Sequence, residues 1–470
     1  MDFPNEFIVR TKLLLGENFP ALEDALQKEA PVSIRLNSNK LSATPSYEKV
    51  SWCNTGYYLQ ERPSFTFDPL FHAGCYYVQE ASSMFLEQAI KQYIPNPAIC
   101  LDLCAAPGGK STHLASILPT GSLLVSNEVI RSRSVILAEN TAKWGMPDTI
   151  VTSNDPKEIG KLTHLFDVIV ADLPCSGEGM FRKDPESRNE WSIANVQLCA
   201  TRQRRIIHDI WNALKPGGLL IYSTCTFNRE ENEENIQYLA NTLNAEALPI
   251  SVGNESLIYH AIQSDLPAYR FLPHLTKGEG FFIAILRKPE SEKQQISSKN
   301  KKKQKQAPLP VPATVKDWIT GYDRYQFFTS SNGSLQAIPV DHFDTYQFIT
   351  ETLHVISAGI PVGEVKGKDL VPTPALAFNL AFNQMSFTRV DLQWEEAIRF
   401  LQKEALTLPA DIPKGFTLIT FRNQPLGFVK NIGNRANNLY PQEWRIRSKH
   451  LPETMPNILQ SNNALVYNTL

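Results

Sequence analysis

The 470-residue sequence contains no run of eighteen apolar residues, so nothing in it predicts a membrane-spanning helix. Its first residues, MDFPNEFIVRTKLLL, lack the basic start, apolar stretch and small-residue cleavage site of an export signal, which predicts a cytoplasmic protein. The seven cysteines include no CxxC pair and the nine histidines are scattered, so no metal site is expected. An odd cysteine count without an export signal also argues against a disulfide framework, and each thiol must be accounted for singly. Neither sign of charge is in excess: the formal net charge is −2, which neither marks nor excludes a nucleic-acid binder, because a local basic surface suffices. No repeat of fixed period runs through the chain. What is present, 42% hydrophobic and 20% charged residues, describes a globular chain. Its length suits roughly two to four domains.

Beyond residue 90 the chain alternates apolar runs with amphipathic stretches. AICLDLCAA, GSLLVSNEV, HLFDVIVADLP and GGLLIYSTC each predict a short strand buried on both faces, as when helices cover a parallel sheet. Between the last two, WSIANVQLCATRQRRIIHDIWNALKPGG predicts a helix with Val196, Ile206, Ile207, Ile210, Trp211 and Leu214 on its apolar face, ended by Lys215-Pro216-Gly217. The alternation predicts a doubly wound α/β domain over residues 91–288, and such sheets bind ligands at the carboxyl ends of their strands. AAPGGKS, NE, DLPCSG and STC all fall there. Residues 1–90 hold a helix candidate, ALEDALQKEA, and an alternating strand, VSIRLN, which together suggest a small α+β domain. Residues 289–312 are lysine-rich and then proline-rich and predict a linker, with the Lys299 to Lys305 cluster as a solvated tether. Residues 313–470 resume a globular composition in which short strands and turns predominate.

LDLCAAPGGKST joins a predicted strand to a predicted helix. Glycines at such a turn let the backbone approach a ligand, and the helix N-terminus offers free N–H groups to a negative one. A dinucleotide fingerprint needs GxGxxG, but only the adjacent Gly108 and Gly109 are present. A P-loop needs GxxxxGK[ST]; Gly109-Lys110-Ser111 supplies its end, yet Cys104 stands where the first glycine belongs. The carboxylate end of S-adenosylmethionine asks only for N–H groups and one lysine. Cys104, Ala105, Ala106, Pro107, Gly108, Gly109 and Lys110 are therefore candidate cofactor contacts. The alternative, a turn without a ligand, is disfavoured by a lysine directly after two glycines. At the next strand end Glu128 is placed to accept both hydroxyls of a ribose, against the alternative of a solvated surface residue. Asp155, in VTSNDPKEI, follows the third strand; it suits an adenine amino group and equally a helix N-cap before Pro156.

Cys175 and Cys225 each lie just past a strand, among proline, serine, threonine and glycine. If those strands are neighbours, about 4.8 Å apart, both thiols face one pocket. Cys100 and Cys199 sit among apolar residues and read as packing. Glu230, Glu231, Glu233 and Glu234 follow Cys225 and would oppose a thiolate if they lay close. The pattern instead predicts the first turn of the next helix, with Asn228 as N-cap and Glu231 closing a capping box and facing solvent. With no histidine or lysine near Cys225 in sequence, a cationic cofactor is expected to favour its thiolate.

LDLCAAPGGKS, DLPCSGEG and YSTCT together resemble the RNA cytosine-5 methyltransferases of the NOL/NOP/Sun group. YYVQEASSM, AGIPVGEVKGKDLVPTPALAF and PLGFVKNIGNRANNLYPQEWRIR extend the resemblance to the RsmF-type 16S rRNA methyltransferases over nearly the whole chain. The resemblance implies a Rossmann-like S-adenosylmethionine-dependent domain with a C-terminal PUA-like RNA-binding region. It implies 16S rRNA or the small ribosomal subunit as partner, with Cys225 as nucleophile and Cys175 assisting its release. Asp172 matches the family aspartate that contacts the cofactor and lies near ring nitrogen 3 of the target base. Two thiols suit this chemistry: addition of a thiolate at carbon 6 makes carbon 5 nucleophilic, and a proton must then leave carbon 5 before the thiol departs. A tRNA substrate, or a non-catalytic ribosome assembly factor with the same fold, are the alternatives. A monomer is expected.

Phosphate contacts need basic side chains beside a pocket that takes an unstacked base. Arg182, Lys183, Arg202, Arg204 and Arg205 are candidates, against the alternative of a solvated helix face. In the C-terminal segment Lys430, Arg435, Arg445 and Arg447 alternate with Phe428, Tyr440 and Trp444, as on RNA-binding surfaces. Arg35 and Asn37 of SIRLN match a family motif without a role legible in sequence.

Overall fold

The computed structural model describes residues 3–42, 45–251, 258–290, 312–330, 333–367 and 369–459. All but the end residues of the predicted linker, including the Lys299 to Lys305 cluster, lie outside the described residues.

Two helices, Asn5–Leu15 and Phe19–Gln27, precede an antiparallel sheet in the order β2-β1-β3, made of β1 (Val32–Leu36), β2 (Gly56–Leu59) and β3 (Tyr76–Val78). The second helix and β1 are the two elements expected there. The predicted boundary at residue 90 falls inside a helix, Leu86–Tyr93, that leads into the central sheet.

That sheet is built from β4 (Ile99–Asp102), β5 (Leu123–Asn127), β6 (Thr149–Thr152), β7 (Phe166–Asp172) and β8 (Leu214–Thr224). They run parallel in the order β8-β7-β4-β5-β6. Along β7, Ile169 and Ala171 pack into the core on one face while Val168 and Val170 pack into the core on the other. Burial on both sides is why these segments read as unbroken apolar runs. Beyond β8 the sheet continues antiparallel through β12 (Phe281–Arg287), which also pairs with β9 (Glu246–Leu248), to β11 (Ala268–Phe271) and β10 (Tyr259–His260). The helix before β8 stops at Ile210; Leu214, expected on its apolar face, instead opens β8 opposite Phe166. Tertiary pairing overrides the helical spacing there, because Leu214 is fully buried beside Phe166 in the sheet core.

The C-terminal region forms two four-stranded sheets. β13 (Tyr325–Thr329), β14 (Ser334–Pro339), β16 (Ile360–Lys366) and β17 (Asp369–Pro372) make one, and β18 (Thr388–Asp391), β19 (Gly415–Phe421), β20 (Gln424–Asn431) and β21 (Ala436–Asn438) the other. Between β14 and β16 in sequence, β15 (Val355–Ala358) leaves its neighbours and pairs antiparallel with β6, closing the far edge of the central sheet. One apolar core joins Ile34, Leu36 and Tyr57 of the N-terminal sheet to Phe400, Leu401, Leu426 and Tyr440. The C-terminal region is thus packed into both preceding units rather than tethered beyond them.

Candidate active site

The order β7-β4-β5 places a crossover at β4, where a doubly wound sheet opens a crevice at its carboxyl end. Asp102 ends β4 and is fully buried; burial pushes its carboxyl up to about 7, and Oδ2 accepts from Ser111 Oγ at 2.6 Å. The loop from Cys104 then reaches the helix Gly109–Ile117 through Gly108, whose φ of +117° needs a residue without a Cβ. Asp102 feels the charges of Lys110, Asp172 and Glu128, so the floor of the crevice gathers three carboxylates around one lysine. Such a floor suits a cationic ligand above N–H groups that receive a carboxylate, which fits the two ends of an S-adenosylmethionine tail.

Lys110 Nζ donates to Asp172 Oδ2 at 2.8 Å, and Ser223 Oγ donates to Asp172 Oδ1 at 2.8 Å. Burial pulls the Lys110 ammonium down, but Asp172 outweighs it and the net direction is upward; Cys225 also contributes. Lys110 is therefore a cation in electrostatic reach of Cys225. Sequence proximity missed it, since 115 positions separate the two.

β7 and β8 are neighbours, with Asp172 opposite Ser223, and Cys175 Sγ lies 3.2 Å from Cys225 Sγ. The hydrogen bond with Cys225, then burial and the nearby Glu231 charge, push Cys175 well up, which holds it as a thiol. Two lobes that share lining residues open here, both on Cys225 and one of them also on Cys175. One, of about 470 Å³, faces the N-terminal sheet and is lined by Tyr77, Gln79, Lys110, Lys183, Cys225 and Phe281 among others. The second, of about 350 Å³, is lined by Arg133, Pro174, Cys175, Asn195 and Cys225 among others. Cys104, Ala106, Asp172 and Met180 line both.

Of the remaining predicted cofactor residues, Ala105, Pro107 and Gly109 line the first lobe, while Gly108 is buried behind the turn. Glu128 and Asp155 line neither. Glu128 is buried, accepts from Ile130 N at 2.9 Å and lies 3.6 Å from Arg133, which in turn donates to the Ala106 carbonyl at 2.8 Å. Asp155 is exposed and caps the short helix Pro156–Ile159 by accepting from Lys157 N at 3.0 Å. Arg133 was not singled out from sequence; its only signal is a place in the first turn after Glu128.

The glutamates after Cys225 do not form a solvated helix turn. The helix starts at Glu233, Glu231 and Glu233 are buried, and Glu233 pairs with Arg270. Asn228 Oδ1 does accept from Glu231 N at 2.9 Å, but the Glu231 side chain turns inward instead of back to the Asn228 amide. That amide donates to Glu178 at 2.8 Å. Inward packing wins because Ser176, in the loop after β7, and Gln203 supply donors to the Glu231 carboxyl that water would otherwise have to supply.

The predicted RNA contacts separate by burial. Arg182 is enclosed, donating to Glu279 at 2.7 Å and to the Ala25 carbonyl at 3.2 Å, so it is spent on the fold. Arg204 is likewise held by Asn235 and Tyr238. Lys183, Arg202 and Arg205 are exposed, as are Arg435, Arg445 and Arg447, and Lys430 pairs with Asp369 at 3.0 Å. Phe428 and Tyr440 are fully buried core residues, not stacking platforms. Arg35 is fully buried, donating to Gln79 at 2.8 Å and Thr112 at 2.6 Å over the Trp144 ring, and Asn37 donates to the Gly74 and Trp144 carbonyls. Both tie the N-terminal sheet to the catalytic domain. Among the described residues one group, Cys53, Glu87 and His113, brings metal-ligand atoms together. Glu87 there pairs with Lys91 and bonds to His113, whose imidazole burial pushes down to about 4, so the positive charge beside Glu87 is that of Lys91.

A glycine turn over acidic strand ends, on this sheet order, places the chain in the class of Rossmann-like S-adenosylmethionine-dependent methyltransferases. Solved structures share the architecture. A methyltransferase homolog from Pyrococcus horikoshii is 30% identical with a TM-score of 0.53, over 61% of this chain and 95% of that one. NSun6 from the same organism, solved with SFG, shares the fold at 20% identity and a TM-score of 0.53, over 62% and 99%. Three family profiles match: 16S rRNA methyltransferase RsmB/F over residues 93–287, the N-terminal domain of 16S rRNA methyltransferase RsmF over 3–81, and the methyltransferase RsmF PUA domain over 387–446. Ribosomal RNA small subunit methyltransferase F of Escherichia coli O9:H4 (strain HS) is 30% identical, covering 94% of this chain and 96% of that protein. The protein of that name from Enterobacter sp. (strain 638) is also 30% identical, covering 94% and 95%. The chain belongs to the RsmF-type family of 16S rRNA methyltransferases. No helix among the described residues is long and apolar enough to cross a membrane.

Proposed function

We propose that the protein methylates carbon 5 of a cytosine in 16S rRNA of the small ribosomal subunit through a covalent bond between Cys225 and the base, acting as a cytoplasmic monomer. The observation that carries this reading is the pair of thiols 3.2 Å apart at the ends of adjacent strands, beside the Lys110–Asp172 pair. Methyl transfer to oxygen or an exocyclic nitrogen needs no nucleophilic thiol; transfer to carbon 5 does. Cys104 to Lys110 and Asp172 form the cofactor set, and S-adenosylmethionine, when bound, supplies the methyl group. Lys110 lies in electrostatic reach of Cys225, and the Cys175 thiol is within hydrogen-bond distance of it. Cys225 Sγ adds to carbon 6, and carbon 5 then accepts the methyl group. Loss of the carbon 5 proton restores the ring double bond and expels Cys225, with Cys175 assisting. Lys183 beside the cleft and Arg435, Arg445 and Lys430 on the PUA-like region serve the phosphates.

The test is Cys175→Ala beside Cys175→Ala/Cys225→Ala, each incubated with S-adenosylmethionine and unmethylated small subunits and run on a denaturing gel. An RNA-linked band that requires Cys225 is expected. Its absence on RNA that is demonstrably bound would refute the covalent reading and favour an assembly factor; a band with tRNA alone would move the substrate.

A further inference from the structure

Each cysteine is followed by a glutamate whose carboxylate holds the other cysteine's loop. Glu178, three residues after Cys175, accepts from Phe227 N at 2.7 Å, Asn228 N at 2.8 Å and Thr226 Oγ1 at 2.8 Å, all just past Cys225. Its second oxygen accepts from Trp191 Nε1 at 3.0 Å. Glu231, six residues after Cys225, reaches back to Ser176, the neighbour of Cys175. It accepts from Ser176 N at 3.1 Å, from Ser176 Oγ, from Asn228 Nδ2 at 2.7 Å and from Gln203 Nε2 at 2.8 Å. Glu231 is fully buried and Glu178 2% exposed, and among the described residues neither forms an ion pair. Two buried carboxylates without a cation are an expensive way to join loops that neutral side chains could join. Burial pushes the Glu231 carboxyl up to about 7 against the pull of its Ser176 and Asn228 donors, and what each glutamate gives is a rigid junction, since one carboxyl takes four hydrogen bonds at once.

The two thiols do not depend on this clamp equally. Cys225 follows β8, which is held on one side by β7 and on the other by β12, with Thr224 opposite Phe282. Cys175 has left β7 by three residues, and the Ser176 amide that follows it is fixed by Glu231. The geometry points to Glu231 as a positioning residue for the release half of the reaction: it holds Cys175 within reach of carbon 5 while Cys225 is bonded to carbon 6. This rests on the two-thiol reading above. In the release step the C5–H pair becomes the ring double bond and Cys225 leaves with the pair of the S–C6 bond. With Cys225 bonded to carbon 6, the thiol–thiol hydrogen bond that held Cys175 as a thiol is gone, and Cys175 gives its own proton to solvent and takes the carbon 5 proton in its place.

Glu231→Gln keeps shape but turns one acceptor into a donor facing Ser176, Asn228 and Gln203. Because a misplacement of about 1 Å can cost 100-fold, the expected slowing of release is about 10- to 100-fold, with attack little changed. The experiment compares wild type, Cys175→Ala, Glu231→Gln, the double variant and Ser176→Ala as full-length proteins with S-adenosylmethionine and unmethylated small subunits. Band formation, tritium turnover and Tm are followed for each. Glu231→Gln should accumulate the RNA-linked band, and the double variant should release no more slowly than Cys175→Ala alone. Ser176→Ala, which removes one donor and folds more safely, should slow the same step to a smaller degree. Turnover within twofold of wild type, additive slowing in the double variant, or parallel loss of band and turnover with a lowered Tm for both substitutions would overturn the assignment. If Cys175→Ala itself gives no band on bound RNA, the two-thiol reading falls and the Glu231 role with it.

Discussion

Gly179 lies where the loop after Cys175 passes beneath the end of β8, and its substitution by alanine tests whether that closeness sets the thiol geometry. Its N–H donates to the Cys225 carbonyl at 2.8 Å. A Cβ there would stand 2.6 Å from the Cys225 oxygen, 2.9 Å from the Gly280 oxygen and 3.0 Å from Gly280 Cα. All three are backbone atoms between strand ends and cannot swing aside, so the loop must retreat by about 0.8 Å or more to bring the 2.6 Å approach to ordinary contact. Overpacking of this kind costs about 1–3 kcal/mol. With an unfolding entropy of about 2.1 cal/mol/K per residue, the 470-residue chain loses about 1 °C per kcal/mol, so Tm should fall by about 1–3 °C. The same retreat opens the Cys175–Cys225 contact, so the single-turnover rate should drop by about tenfold or more. Calorimetry and a single-turnover tritium assay on saturating substrate measure the two effects. A variant with wild-type Tm and rate would show that this crossing is slack and that the 3.2 Å contact does not govern the reaction.

Asp102 gives a pH test. Its carboxyl is pushed by burial from the ordinary 3.8 up to about 7, so the folded chain keeps a proton that the unfolded chain loses. The stability it contributes therefore declines as pH rises from about 4 to about 7, and Tm of wild type should fall more than that of Asp102→Asn between about pH 5 and pH 8; equal declines would refute the assignment. Truncation after residue 312 removes β15 and half of the core shared by Ile34 and Phe400, so light scattering should show aggregation and cofactor binding should fall along with RNA binding. A monomeric truncated protein with intact cofactor affinity would contradict this.

The parallel strands were legible because burial on both faces leaves an unbroken apolar signature, and the site followed from polar residues at their carboxyl ends. Cys175 and Cys225 meet at neighbouring strand ends, as their placement suggested. Sequence spacing did not reveal relations across strands. Glu231 looked like a surface residue because the topology that crosses its loop with that of Cys175 has no local signal. Lys110 looked remote from Cys225 for the same reason. Arg182, Phe428 and Tyr440 show the limit of composition: a basic or aromatic residue in a promising segment can be spent on packing, and only its neighbours distinguish the two.

β15 has a consequence for how the protein is made. It pairs with β6, yet about 200 residues of chain separate Thr152 from Val355. At about 5–20 residues per second, the nascent chain carries an unfilled edge of its catalytic sheet for roughly 10–40 s. During that interval the growing polypeptide offers a strand-pairing template to other chains. It also means that the sheet bearing the two thiols is completed only after much of the C-terminal half has been translated.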